Sequence, residues 1–75
     1  MPNYLVSVVN DEFITNSEEA HADLETAVEQ ALKGALEIGV QQVLAGRPFT
    51  GAVVTVESGS DRERFLVALG VSTLK

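Results

Sequence analysis

The sequence predicts an α+β domain of order ββαββ, a four-stranded antiparallel sheet with one long helix packed on one face. Three observations carry that expectation. The segment from Asp23 to Pro48, DLETAVEQALKGALEIGVQQVLAGRP, repeats apolar residues at spacings of three and four and closes on Gly46 and Pro48. On either side of it lie stretches of alternating β-branched and aromatic residues, NYLVSVV before and GAVVTVE and ERFLVAL after. Short polar segments at Asn10-Asp11 and Ser58–Asp61 punctuate those stretches as hairpin turns.

Taken in order, residues 3–9 form the first strand, and Asn10-Asp11 a two-residue turn without the glycine that strengthens one. Phe13-Ile14-Thr15 reads as a short returning strand, and Asn16 to His21 as a polar, acidic loop. Asp23 is placed to cap the helix, its carboxylate accepting from free amides of the first turn. Glu18, Glu19 and Glu25 suit the positive pole of the helix there. Gly46 takes the left-handed position after the last turn and Pro48 stops the helix. The result is roughly 22 residues, about 33 Å long. Residues 51–57 make the third strand, Ser58–Asp61 a turn around Gly59, and residues 63–69 the fourth strand.

Faces follow from periodicity. Tyr4, Val6 and Val8, Val54 and Val56, and Phe65, Val67 and Leu69 are the uniformly apolar sets, so they face the helix. Leu24, Ala27, Val28, Ala31, Ala35 and Ile38 make the matching helix stripe, with three alanines allowing close approach. Leu32, Leu36, Val40, Val43 and Leu44 form a second, adjoining stripe, more apolar surface than one face needs. Glu29, Lys33, Glu37 and Gln41 keep a polar strip, with Glu29 and Lys33 spaced as an i,i+4 pair. The outer sheet face is mixed, with Leu5, Val9, Val53 and Leu66 among Ser7, Thr55 and Arg64.

Composition removes several function classes. A chain of 75 residues is expected to be one domain, residues 1–75, burying only about 60% of its unfolded surface. With no cysteine and one histidine, disulfides and ordinary zinc sites within one chain are excluded, leaving oligomerisation as the staple for a small core. Eleven acids against five bases, net −6, argue against nucleic acid and against anionic membranes. No basic leader precedes an apolar run at the start and no apolar run approaches the ~20 residues of a membrane span, so a cytoplasmic protein is expected.

Few residues suggest chemistry. Glu18, Glu19, His21 and Asp23 crowd three carboxylates and the one imidazole into six residues, but without EF-hand spacing. That cluster reads as an acidic approach to a helix N-terminus rather than a metal or acid–base centre. Arg62 and Arg64 read as a solvated hairpin, Arg47 as a base near the negative pole of the helix, and Ser58-Gly59-Ser60-Asp61 as a turn rather than a phosphate loop. No nucleophile elbow is present. No catalytic, cofactor or metal residues are therefore assigned.

Met1-Pro2-Asn3-Tyr4-Leu5-Val6, the Glu18-Glu19 pair, Asp23-Leu24-Glu25-Thr26-Ala27, the register Ala31 and Ala35, and Gly46-Arg47-Pro48-Phe49 before a closing hairpin form a wider pattern. Over nearly the whole chain it resembles a family of short, uncharacterised bacterial proteins, a domain of unknown function, though each motif alone is generic. The resemblance implies no catalytic residues. Members of that family often carry a charge in the first strand. Here Ser7 stands between Leu5 and Val9, and the greasier outer face favours association.

The expectation is a non-enzymatic protein-interaction module, forming a homodimer through the helix back (Leu36, Val40, Leu44) or the outer sheet face (Leu5, Val9, Val53, Leu66). An alternative is an acidic, antitoxin-like or regulator-binding protein that masks a basic partner through Glu18, Glu19, Asp23, Glu25 and Glu29. A third is a metal-dependent or catalytic site built across a dimer from His21 and its neighbouring acids.

Overall fold

Alternation in the first segment produces β1 (Asn3–Val9), which pairs antiparallel with β2 (Ile14–Ala20) in the computed structural model, where residues 1–74 are described. The α-helix α1 (Leu24–Leu44) follows, then β3 (Phe49–Ser58) and β4 (Asp61–Leu69). The four strands form one antiparallel sheet in the order β2-β1-β3-β4. The helix thus carries the chain from one edge of the first hairpin, over the sheet, to the other side of β1. It lies chiefly on β3 and β4, less on β1. The expected ββαββ layering is the observed one.

The first hairpin differs from expectation. Its connection is the four-residue loop Asn10–Phe13 rather than a two-residue turn. Asn10 Oδ1 accepts from the amides of Glu12 (2.9 Å) and Phe13 (3.0 Å), and Asn10 N–H donates to the Phe13 carbonyl. This local closure replaces the absent glycine. β2 also continues through Asn16–Ala20, where the sequence reads as a loop. Its side chains carry no apolar alternation, yet every one of its residues pairs with β1. The unpartnered backbone edge of β1 supplies the reason, because its amides and carbonyls need partners whatever the facing side chains are. Exposed on nearly all its residues, β2 is a polar edge strand of the kind that resists edge-to-edge pairing.

Both helix ends are built as the sequence predicts. Asp23 is the N-cap, and its carboxylate accepts from the Thr26 amide at 2.8 Å. At the other end Gly46 sits at φ 81; its amide donates to Val43 O and the Arg47 amide to Gln42 O. That reciprocal pair is a Schellman motif. The bond from the Thr26 backbone holds the Asp23 carboxyl below its usual range. A depressed folded pKa means the cap stabilises fully above about pH 4 and loses its contribution as pH falls through the lower folded value. Asp23→Ala is therefore expected to lower Tm at neutral pH, with the gap to the parent closing below about pH 4. Thermal melts followed by circular dichroism from neutral to acid pH check this, and a gap that stayed constant would disprove the role.

Packing confirms the inward faces. Tyr4, Val6, Val8, Ala52, Val54 and Val56 are buried beneath Ala27, Ala31 and Ala35. Gly39 continues that small ridge and is buried as well, a position absent from the expected stripe. Phe49 is 0% exposed and stacks against Phe13, ring centres 6.3 Å apart. Leu32 and Val43 are half-buried: they pack on the core and also line the hollows of the helix back. The ion pairs among the described residues are His21–Glu19, Arg47–Glu12 and Arg62–Glu57, so Glu29 and Lys33 stand apart despite their spacing. No helix among the described residues is long and apolar enough to cross a membrane.

Candidate interaction surface

The domain measures 49 × 20 × 16 Å across its Cα atoms, and the short dimension holds one sheet and one helix only. Among the described residues no third layer covers the sheet's outer face. Directly opposed residues in antiparallel strands share a face, so the pairing register decides what that face looks like. Val9 pairs with Ile14 on one side and with Val53 on the other, and Val53 pairs with Leu66. Four aliphatic side chains thus form one row across all four strands. Ile14 is 68% exposed and Leu66 75%, with Val9 partly covered and Val53 half-buried between them.

The next row along the strands is Asn16, Ser7, Thr55 and Arg64, and the one beyond it Glu18, Leu5, Glu57 and Arg62. The face is therefore graded, from apolar through polar, with Arg64 at its β4 edge, to the row that holds Glu18, Glu57 and Arg62. In the charged row the acid Glu18 lies on edge strand β2 and the base Arg62 on edge strand β4. Arg62 Nε stands 3.8 Å from Glu57 Oε2, an open contact worth little by itself. Of the sequence-predicted positions, Leu5, Val9, Val53 and Leu66 all lie on this face. Ile14 completes the row and was absent from the expectation, because its place depends on pairing with Val9.

The second candidate surface is the helix back. Leu36, Val40 and Leu44 are exposed in single file at spacings of four, Leu44 to 82%. Glu29, Lys33, Glu37 and Gln41 border a shallow hollow beside Leu36 and Val40. Near the helix end, Val40, Val43 and Leu44 share a second hollow with Leu69, Gly70 and Val71. This strip is narrow, and ionic side chains run along one flank of it.

The acidic cluster comes apart in three dimensions. Glu18 belongs to the outer face, and Asp23 caps the helix. Glu19 lies on the opposite face, opposite Tyr4, where it accepts from the Ser17 hydroxyl at 2.6 Å and contacts His21 Nε2 at 2.8 Å. Those two bonds, the hydroxyl's first, hold the Glu19 carboxyl below its usual range. Serine and histidine meet only through the carboxylate, so the imidazole is not placed to activate the hydroxyl. Among the described residues no three metal-ligating side chains converge.

With this geometry in hand, the chain can be set beside known proteins. Neither a family model, nor a curated protein, nor a solved structure matches it. Its own surfaces carry the functional argument.

Proposed function

We propose that this chain is a non-enzymatic interaction module whose main partner is a second copy of itself. One observation carries the reading: a sheet face left open by a two-layer fold, crossed from edge to edge by the row Ile14, Val9, Val53 and Leu66. Isolated exposed aliphatic residues need no explanation, but a contiguous apolar row invites cover. The small core supports the same conclusion, since its four buried helix positions are all alanine or glycine and contribute little apolar area. An acidic, cysteine-free chain fits a cytoplasmic setting, where no disulfide would be available to staple such a core.

Absolute mass by light scattering on a sizing column, over roughly a hundredfold dilution, tests the reading. The expected result is the mass of two chains at the highest concentration, falling toward one on dilution. The mass of a single chain throughout would refute it.

A second reading has its own support in the exposed acids Glu18, Asp23, Glu25 and Glu29, which suit a protein that masks a basic partner. Co-purification that weakens steeply with salt favours it, whereas insensitivity to salt counts against it.

A further inference from the structure

We propose that two copies join their open sheet faces about a two-fold axis parallel to the strands. In that arrangement the aliphatic row lies on the same row of the second copy in reverse order, and Glu18 meets the partner's Arg62. The proposal rests on the self-association reading above and adds the face, the symmetry and the contacts.

Symmetry and row chemistry together select this arrangement. Bringing one face onto a copy of itself requires a two-fold axis lying in the plane between the sheets. An axis along the strands, midway between β1 and β3, exchanges β2 with the other β4 and keeps each row on its own kind. Ile14 then faces the partner's Leu66, and Val9 faces the partner's Val53. In the middle row Ser7 faces the partner's Thr55, two hydroxyls that can bond to one another. In the charged row Glu18 faces the partner's Arg62, twice by symmetry. An axis across the strands reverses the order of the rows instead. Centred on the face, it sets aliphatic side chains against the charged row, a costly burial of ionic groups. Moved onto the aliphatic row, it leaves the charged row outside the contact. Of these two axes, only the strand-parallel one satisfies both ends of the face. Asn16 faces the partner's Arg64 at the edge of the middle row, and the one apolar side chain set against a charge is Leu5 on the partner's Glu57, whose carboxylate already has Arg62 of its own chain at 3.8 Å.

Size sets the strength. Four strands at about 4.8 Å and seven residues at about 3.3 Å make a face of roughly 19 × 23 Å. Two such faces bury on the order of 900 Å² before side-chain relief is counted, close to the ~1,000 Å² floor for a specific contact. A reversible dimer is the expected product, with dissociation on dilution. Ile14 and Leu66, the most exposed members of the row, lie on the two edge strands, so each anchors one side of the pair.

Charge exchange tests the arrangement, with sedimentation velocity as the readout. Glu18 and Arg62 are both exposed, so substitution there leaves the monomer's core untouched. E18R sets Arg against Arg at two symmetric places and R62E sets Glu against Glu. Each is expected to weaken the dimer by about tenfold. An equimolar mixture of the two variants restores both pairs, so a heterodimer of parental strength should form. R62E also loses its contact with Glu57 in its own chain, but that loss cannot be mended by mixing. Leu66→Glu provides an independent check and is expected to abolish the dimer without changing the circular dichroism spectrum. If the parent dimerises, neither charge variant shifts the mass and Val40→Glu does, the interface lies on the helix; the sheet proposal then fails while self-association stands. A parent that remains a single chain at every concentration overturns both.

Discussion

Phe49→Ala is expected to lower the stability of this domain by about 3–5 kcal/mol. A chain of this length has roughly 4–11 kcal/mol to lose, so the variant would forfeit from about a quarter to all of its stability. The magnitude follows from where the ring lies. Phe49 is one of the three largest fully buried side chains, the others being Val54 and Val56. It stacks on Phe13, which the Asn10 loop delivers from the first hairpin, and lies beneath Gly39 of the helix. Both layers of the fold therefore close over one ring. The fully enclosed helix positions are alanine and glycine, too small to swell into the vacated space, so a cavity would persist. Urea unfolding read by circular dichroism measures the loss, and a change below about 1 kcal/mol would show that the two layers are held together elsewhere.

The second large effect comes from overfilling the same region. A Cβ added at Gly39 would sit 2.7 Å from Leu69 Cδ1 and 2.7 Å from Phe49 Cδ2. Leu69 is partly exposed and can swing aside, but the Phe49 ring is fully enclosed and cannot. Gly39→Val is expected to destabilise by about 2–3 kcal/mol, a fall in Tm on the order of 10–20 °C. Gly34 supplies the contrast on the same helix, since a Cβ there meets nothing within 4 Å. Gly34→Ala gains helix propensity without a clash and is expected to stabilise by about 0.5–1 kcal/mol. Thermal melts of the two variants should therefore move in opposite directions. A neutral Gly39→Val would mean that helix and sheet separate more easily than their close approach implies.

These effects converge on one end of the core because of a single irregularity in β3. Register runs from Phe49 opposite Leu69 to Ala52 opposite Val67, so β3 spends one residue more than β4 over that interval. Thr50 and Gly51 form the bulge, with Gly51 at φ 70. The extra residue reverses the alternation, and odd-numbered Phe49 faces the core together with even-numbered Ala52, Val54 and Val56. Without it, Phe49 would share the outer face with Val53. The same bulge thus enlarges the core and bounds the outer face just beyond its aliphatic row.

Features governed by local periodicity can be read along the chain. Alternation of period two separates Tyr4, Val6 and Val8 from Leu5, Ser7 and Val9 whichever strand lies alongside. Residues such as Asp23 and Gly46 announce their backbone roles, and both were legible as helix ends. Leu5, Val9, Val53 and Leu66 were readable as outward-facing for the same reason. How those residues meet depends on contacts that no local pattern encodes. That Asn16–Ala20 is strand follows from the hydrogen-bonding need of the β1 edge, not from its own polar side chains. Ile14 joins Val9 because a four-residue loop sets their register, and Val53 joins Val9 because the helix carries β3 across to the far side of β1. Glu18 and Arg62, distant in sequence, come to opposite ends of one row by the same crossing. Periodicity is a property of neighbours along the chain, whereas strand order, register and the bulge arise from contacts between distant segments.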